Sequence, residues 1–164
     1  MQRKSFQDMN CSVARCLEII GEWWTPLLLR DMFMGVTRFD DFQSRLGIAR
    51  NILADRLNRL VEAGVVERRP YQDRPQRFEY RLTEKGGDLW RVLTAMREWG
   101  DQWAAPHGPS VQVVHRTCGH VTSTVMVCAE CGEELERRDL RLVRGPGARD
   151  DSILPVRVAE VPGT

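Results

Sequence analysis

The stretch RFDDFQSRLGIARNILADRLNRLVEAGVVERRPYQDRPQRFEYRLT, residues 38–83, decides the fold. Phe39, Phe42 and Leu46 recur at three and four residues, the spacing of a short helix, and Gly47 ends it. A second helix is predicted from about Ala49 to Ala63, with Leu53, Leu57 and Leu60 on one stripe and Gly64 as its stop. Val65 to Arg69 reads as a strand, Tyr71 to Gln76 as a turn through Asp73, Arg74 and Pro75, and Phe78 to Leu82 as the returning strand. Thr83 and Glu84 open a further helix with a capping hydroxyl and an early acid. Helix, tight turn, helix, charged hairpin, helix is the order of a winged helix-turn-helix. That arrangement sets one helix in the major groove of DNA and a β-wing beside it.

Charge favours the same reading. Between Arg38 and Arg81 ten arginines face seven carboxylates, a local net of +3, whereas the whole chain carries only +1. The remainder is therefore net acidic, and the positive charge is concentrated where the motif would meet phosphate.

Working outward, Cys11 to Ile20 reads as an N-terminal helix with Val13, Leu17 and Ile20 on one face and Gly21 at its end. Thr25-Pro26 reads as a helix start, threonine as cap and proline in the first turn, followed by the apolar run Leu27 to Phe33. The helix opened by Thr83 is expected to continue to about Trp103 with Leu89, Leu93, Met96, Trp99 and Trp103 along it. A chain this small has few places to bury Trp90, Trp99 and Trp103, so a homodimer seam shared with the N-terminal helix is preferred over monomer core packing. The organisation that follows is a winged helix-turn-helix domain over residues 10–104, a linker at 105–110, a β-rich module at 111–144 and a tail at 145–164. The fold class is thus mainly α with a small β-wing, plus a small zinc-ribbon-like module.

Five cysteines is an odd number, and three of them fall within fourteen residues, which suits metal or reactive thiols better than a disulfide framework. His115-Arg116-Thr117-Cys118-Gly119 and Cys128-Ala129-Glu130-Cys131-Gly132 repeat one pattern: ligand, two residues, cysteine, glycine. Two intervening residues let both ligands face one ion, and the glycine permits a turn that can aim N–H groups at sulfur. Four N and S donors with no open position suit a structural tetrahedral Zn²⁺. His115, Cys118, Cys128 and Cys131 are the expected ligands, and His120 competes with His115 for the fourth place. A module of this size cannot bury enough core to fold alone, so a staple is expected.

No apolar run approaches the length of a membrane span, and Met1 to Asn10 lacks an apolar signal core, so the expected location is cytoplasmic. No Gly-rich phosphate loop, His-Glu-x-x-His helix or nucleophile elbow occurs, and an enzyme is not expected.

The clusters Cys11-Ser12-Val13-Ala14-Arg15, Gly21-Glu22-Trp23-Trp24-Thr25 and Leu27-Leu28-Leu29-Arg30-Asp31 come first, followed by Arg38-Phe39 and Phe42. Arg50-Asn51-Ile52-Leu53, Arg56-Leu57, Leu60 and Gly64-Val65-Val66 continue the series. It runs on through Tyr71, Pro75, Arg77, Glu79-Tyr80, Leu82-Thr83, Gly86 and Trp99-Gly100. In that order they resemble the HxlR-type transcriptional regulators, from about Asn10 to Trp103. The resemblance implies a dimeric winged-helix protein that represses or activates nearby promoters, and the cysteine module resembles an extension carried by some members. The chain departs from the pattern at Ser12, where proline is usual, at Ala49, where serine or threonine is usual, and at Gln76, where a second wing proline is usual.

With Leu53, Leu57 and Leu60 turned inward, Asn51, Ala54, Asp55 and Asn58 face out. Arg50 and Asn51 lie in the first turn of the reading helix, where arginine can pair with guanine and asparagine with adenine. Ala54 is small enough to meet a thymine methyl, and Asp55 calls for a cationic partner such as Arg59 one turn on. Arg74 and Arg77 near the wing tip should meet phosphate or the minor groove. The expected partner is double-stranded DNA; the operator, the sign of regulation and any small-molecule effector are not written in the sequence. Two other classes stay open. One is an RNA-binding accessory protein, because zinc knuckles and basic hairpins also serve RNA. The other is a redox or electrophile sensor with Cys11 as its input, which needs a thiolate of lowered pKa such as a helix N-terminus provides.

Overall fold

The computed structural model describes residues 5–149 of the 164-residue chain. Among the described residues six helices and two antiparallel hairpins are formed: α1 (Ser12–Ile20), α2 (Trp24–Phe33), α3 (Phe39–Leu46), α4 (Arg50–Glu62), β1 (Val66–Asp73), β2 (Gln76–Leu82), α5 (Glu84–Gly87), α6 (Trp90–Trp103), β3 (Val113–Val114) and β4 (Val121–Thr122). A 3₁₀ turn follows at Arg137–Asp139. Of the expected tail, residues 150–164 lie outside the described part.

The chain divides into two compact units: Arg15–Met96, and Met1–Ala14 together with Arg97–Thr164. The division between these compact units falls inside α6.

The first unit holds the core. Leu28, Leu29, Phe42, Leu53, Leu57, Leu60, Val65 and Val66 are almost completely buried, and Leu82, Leu89 and Leu93 pack against that cluster half-buried. The leucine stripe of α4 points inward as its spacing requires. One charge is buried with it. The Asp31 carboxylate has no solvent-exposed surface; Arg30 donates to it at 2.8 and 2.9 Å, and Arg45 of α3 donates at 3.2 Å. Burying a carboxylate without such partners would be strongly destabilising.

Helix α3 ends at Gly47 in the left-handed conformation (φ 63°), which turns the chain through Ile48 and Ala49 into α4. Gly64 (φ 67°) does the same after α4, and the Val65 N–H donates back to Leu60. In the wing, β1 pairs with β2 from Val66↔Leu82 to Asp73↔Gln76, with a bulge at Tyr71 between Pro70 and Gln72. Proline lacks a donor, and the bulge beside Pro70 is where a ladder tolerates that. The hairpin runs further than the sequence suggested, and its turn shrinks to Arg74-Pro75, joined by a cis peptide bond. The chain before α3 adds to the same sheet: the Tyr80 N–H donates to the Thr37 carbonyl at 2.8 Å, and Arg38 bridges to Glu79.

Thr83 caps α5 as expected. Its Oγ1 accepts from the Gly86 N–H at 3.1 Å and lies 2.8 and 3.1 Å from the carbonyl oxygens of Gly64 and Val65. Gly86 is needed for close approach, because a Cβ there would sit 2.1 Å from the Val65 carbonyl oxygen. The single long helix expected after Thr83 is instead two. Gly86-Gly87 is a poor helical pair, and α5 stops at Asp88 before α6 begins at Trp90. Thr25 is likewise not a cap. Helix α2 starts at Trp24, and Thr25 lies buried inside its first turn.

Candidate nucleic-acid interface

Helices α3 and α4 with the turn Gly47–Ala49 form the helix-turn-helix, and β1–β2 forms the wing. On α4 the outward residues are those the periodicity selects: Arg50, Asn51, Asp55, Asn58 and Arg59 are exposed and Ala54 is half-buried. Ala49 stands at the N-cap in extended conformation and provides no side-chain bond, so first-turn N–H groups stay open to an external acceptor. The charged members are not all free. Arg59 Nε lies 3.1 Å from Asp55 Oδ2 one turn earlier, the pairing expected from the sequence. Arg56 holds the same carboxylate at 2.9 Å and Glu22 at 3.0 Å. Arg50 reaches back to α3: its Nη1 donates at 3.3 Å to both Asp40 and Gln43, and its guanidinium lies 4.7 Å from the Phe39 ring centroid.

The wing separates its arginines into two sets. At its base, Arg81 donates to Glu79 at 2.8 Å and holds that carboxyl below its ordinary range, and Arg69 pairs with Glu67. Arg68 stacks 3.5 Å from the centre of Phe78, and Arg38 lies 4.7 Å from the centre of Tyr71. At the tip, Arg74 and Arg77 are exposed, and neither takes part in an ion pair among the described residues. Gln72 donates to the Arg74 carbonyl at 3.0 Å and steadies the tip. The Arg38–Tyr71 stack was not legible in the sequence, because the two residues are thirty-three apart and meet only once the hairpin is formed.

On α6, Val92, Met96, Trp99 and Trp103 recur at four-, three- and four-residue steps, one stripe, and all are exposed, the last two at 65% and 69%. In α1, Val13 and Leu17 are exposed while Ala14 and Ile20 are buried, so the apolar face expected there is only partly core. Cys11 is half-buried immediately before α1, and Cys16 is half-buried within it.

In the second unit the cysteine module is built from two matching turns. The His115 N–H donates to the His120 carbonyl at 3.0 Å and the Gly119 N–H to the His115 carbonyl at 2.8 Å. The Cys128 N–H donates to Glu133 at 2.8 Å and the Gly132 N–H to Cys128 at 2.9 Å. Gly119 and Gly132 take φ 75° and 77°, the left-handed region. His115 Nδ1 lies 3.3 Å from Cys118 Sγ, whereas His120 contributes its carbonyl to the turn. N–H groups of Cys131 and Glu130, and then the Cys131 thiol, donate to the Cys128 sulfur and lower its pKa. Among the described residues these pairs do not gather into a group of three or more metal-binding side chains. The module rests on α6 through Glu98, which accepts from the Thr124 N–H at 2.9 Å and the Thr124 hydroxyl at 2.5 Å and is held below its ordinary pKa by them.

A family model described as HxlR-like helix-turn-helix matches residues 19–108, more than half of the chain. The uncharacterized HTH-type transcriptional regulator Rv3095 of Mycobacterium tuberculosis is 44% identical over 137 residues, covering 83% of this chain and 87% of that protein. The crystal structure of PA1607 superposes with a TM-score of 0.77 at 42% identity, over 87% of this chain and 100% of that one. The redox regulator HypR in its reduced form matches with a TM-score of 0.53 at 33% identity, over 56% of this chain and 92% of that one. The likenesses to Rv3095 and PA1607 are too long to end at residue 108 and continue into the cysteine module. Among the described residues no helix is long and apolar enough to cross a membrane.

Proposed function

The chain belongs to the HxlR-like helix-turn-helix family and is a DNA-binding transcriptional regulator, and from that premise we propose how it reads DNA. Helix α4 enters the major groove N-terminus first, with Asn51 and Ala54 against base edges and Asn58 further along the same face. Arg74 and Arg77 carry the wing tip onto phosphate or into the adjacent minor groove. Arg50 and Arg59 reach DNA only by exchanging Asp40 and Asp55 for phosphate or base. The observation that carries this reading is the unpaired wing tip beside an α4 face whose first turn has no side-chain cap. The regulator acts in the cytoplasm as a homodimer, and the stripe Val92, Met96, Trp99 and Trp103 is the seam; Val13 and Leu17 of α1 have the same role.

A footprint of the full chain on DNA from upstream of its own gene tests the proposal. Protection of an inverted repeat with half-sites about one helical turn, roughly 10 bp, or a multiple apart is expected. Equal competition by a structured RNA would favour the RNA-binding alternative instead.

A second reading has one observation behind it: Cys11 stands half-buried immediately before α1. HypR is a redox regulator by name, and in this chain Cys11 would be the input to the same DNA-binding output. Diamide treatment should then release operator DNA from the parent but not from Cys11→Ser.

A further inference from the structure

We infer that the C-terminal module is a zinc site in which the two matching turns each supply two ligands: His115 through Nδ1 with Cys118, and Cys128 with Cys131. The inference stands apart from the DNA-reading proposal, since none of these residues belongs to the helix-turn-helix or its wing.

Three observations carry it. First, the turns are the same object twice. Every backbone bond of the first recurs thirteen residues later in the second, and each left-handed glycine directly follows the second ligand of its turn. A short antiparallel pairing supports each, Val114↔Val121 behind one and Val127↔Glu134 behind the other. Second, the donors within a turn are already at ligand spacing. Two ligands of a tetrahedral zinc, nitrogen at about 2.0–2.1 Å and sulfur at about 2.3 Å, stand roughly 3.5 Å apart. His115 Nδ1 and Cys118 Sγ are 3.3 Å apart. The ring therefore presents Nδ1, not Nε2, and it is His115 rather than His120 that faces a thiol. In the second turn the Glu130 and Cys131 N–H groups aim at the Cys128 sulfur, the outer-shell bonds that a zinc thiolate receives.

Third, nothing apolar accounts for the order of these turns. Val113, Val114, Val121, Val125, Met126 and Val127 are between 41% and 69% exposed, and the buried core contains no residue of this module. A coreless element of some thirty residues requires a staple. Three sulfurs and one imidazole are soft to borderline donors, and with four positions filled they suit structural zinc rather than a hard, oxygen-seeking cation. The two pairs stand as separate pairs among the described residues, and the site proposed requires one ion to bring all four donors onto one centre. On binding, the S–H bonds of Cys118, Cys128 and Cys131 give way to Zn–S bonds and their protons pass to solvent. His115 binds as neutral imidazole and keeps its proton on Nε2.

The test uses the full chain, stripped of metal by a chelator under reducing conditions and then titrated with Zn²⁺ against a chromophoric chelator. One equivalent per chain is expected, unchanged in Cys16→Ser and His120→Ala and lost or weakened at least tenfold in His115→Ala and Cys131→Ser. Co²⁺ in place of Zn²⁺ guards against misfolded variants. Its thiolate charge-transfer absorption should fall by about a third in Cys128→Ser, as expected when one of three sulfurs is removed. Failure of the reduced parent chain to retain zinc, or retention by His115→Ala with loss in His120→Ala, would overturn the site as stated. Glu133, whose Oε2 lies 3.9 Å from Cys131 Sγ, should be dispensable; if Glu133→Gln loses the metal, the four-ligand set is wrong.

Discussion

Arg50, the first residue of the reading helix, donates to Asp40 of the preceding helix at 3.3 Å, with both side chains largely in solvent. If α4 enters the groove as proposed, a first-turn cation is therefore partly neutralised in the free protein by a carboxylate that would itself approach phosphate. An exposed pair of this kind is weak, so DNA can displace it. Asp40→Asn should raise affinity for random duplex DNA by roughly 2–5-fold at low salt and steepen the salt dependence. Fluorescence anisotropy across a salt series measures both. Unchanged affinity and slope would mean that Arg50 stays on α3 in the complex.

Base reading and backbone contact separate by their response to sequence. Asn51→Ala should cost about 1–3 kcal/mol on operator DNA and almost nothing on random DNA. Arg74→Ala should weaken both alike and lower the salt slope by about one. Competition binding on the two duplexes checks the pair; equal losses for Asn51→Ala would remove it from base readout.

The α6 stripe makes an assembly prediction. Trp103→Glu should give monomers by sedimentation velocity and weaken operator binding at least tenfold, because two linked half-sites gain from effective concentration. A dimer that survives this substitution would place the seam elsewhere.

Protonation of Glu98 should loosen Thr124. The two Thr124 donors, and secondarily the charge of Arg97, hold the Glu98 pKa below the ordinary value of 4.5. A depressed folded-state pKa contributes stability that is complete above the ordinary value and lost as pH falls through the lowered one. The Thr124 amide resonance should therefore shift in acid below pH 4.5, and Glu98→Gln should abolish that step while leaving other acid transitions in place. A step that persists in the glutamine variant belongs to a different group.

What could be read beforehand was what a single helix or hairpin encodes by itself. The spacing of Leu53, Leu57 and Leu60 and the glycines at 47 and 64 suffice to set α4 and its outward face. Thr83 was legible as a cap because its acceptor role is local. One error is local, the break at Gly86-Gly87; others lie where the packing of the whole domain intervenes. Thr25 had the composition of a cap but is drawn inside α2 and buried, with Trp24 already helical. Val13 and Leu17 share a helical face with Ile20, yet periodicity cannot say whether that face meets the chain's own core. The reach of Arg50 to Asp40 and of Arg38 to Tyr71 depends on how helices and strands meet, which no local pattern records. The cysteine turns were legible because ligand, spacing and glycine repeat together.

The buried Asp31 carboxylate has a consequence for how this protein can vary. Apolar side chains tolerate exchange of shape, and a core made only of them lets helices slide by fractions of an ångström as it drifts. A carboxylate held by Arg30 on its own helix and Arg45 on α3 does not slide, because its bonds are directional. The setting of α3 against α2 is thus fixed by three charged groups as well as by the surrounding leucines. Asp31→Ala would empty that position and leave Arg30 and Arg45 without the carboxylate that joins α2 to α3.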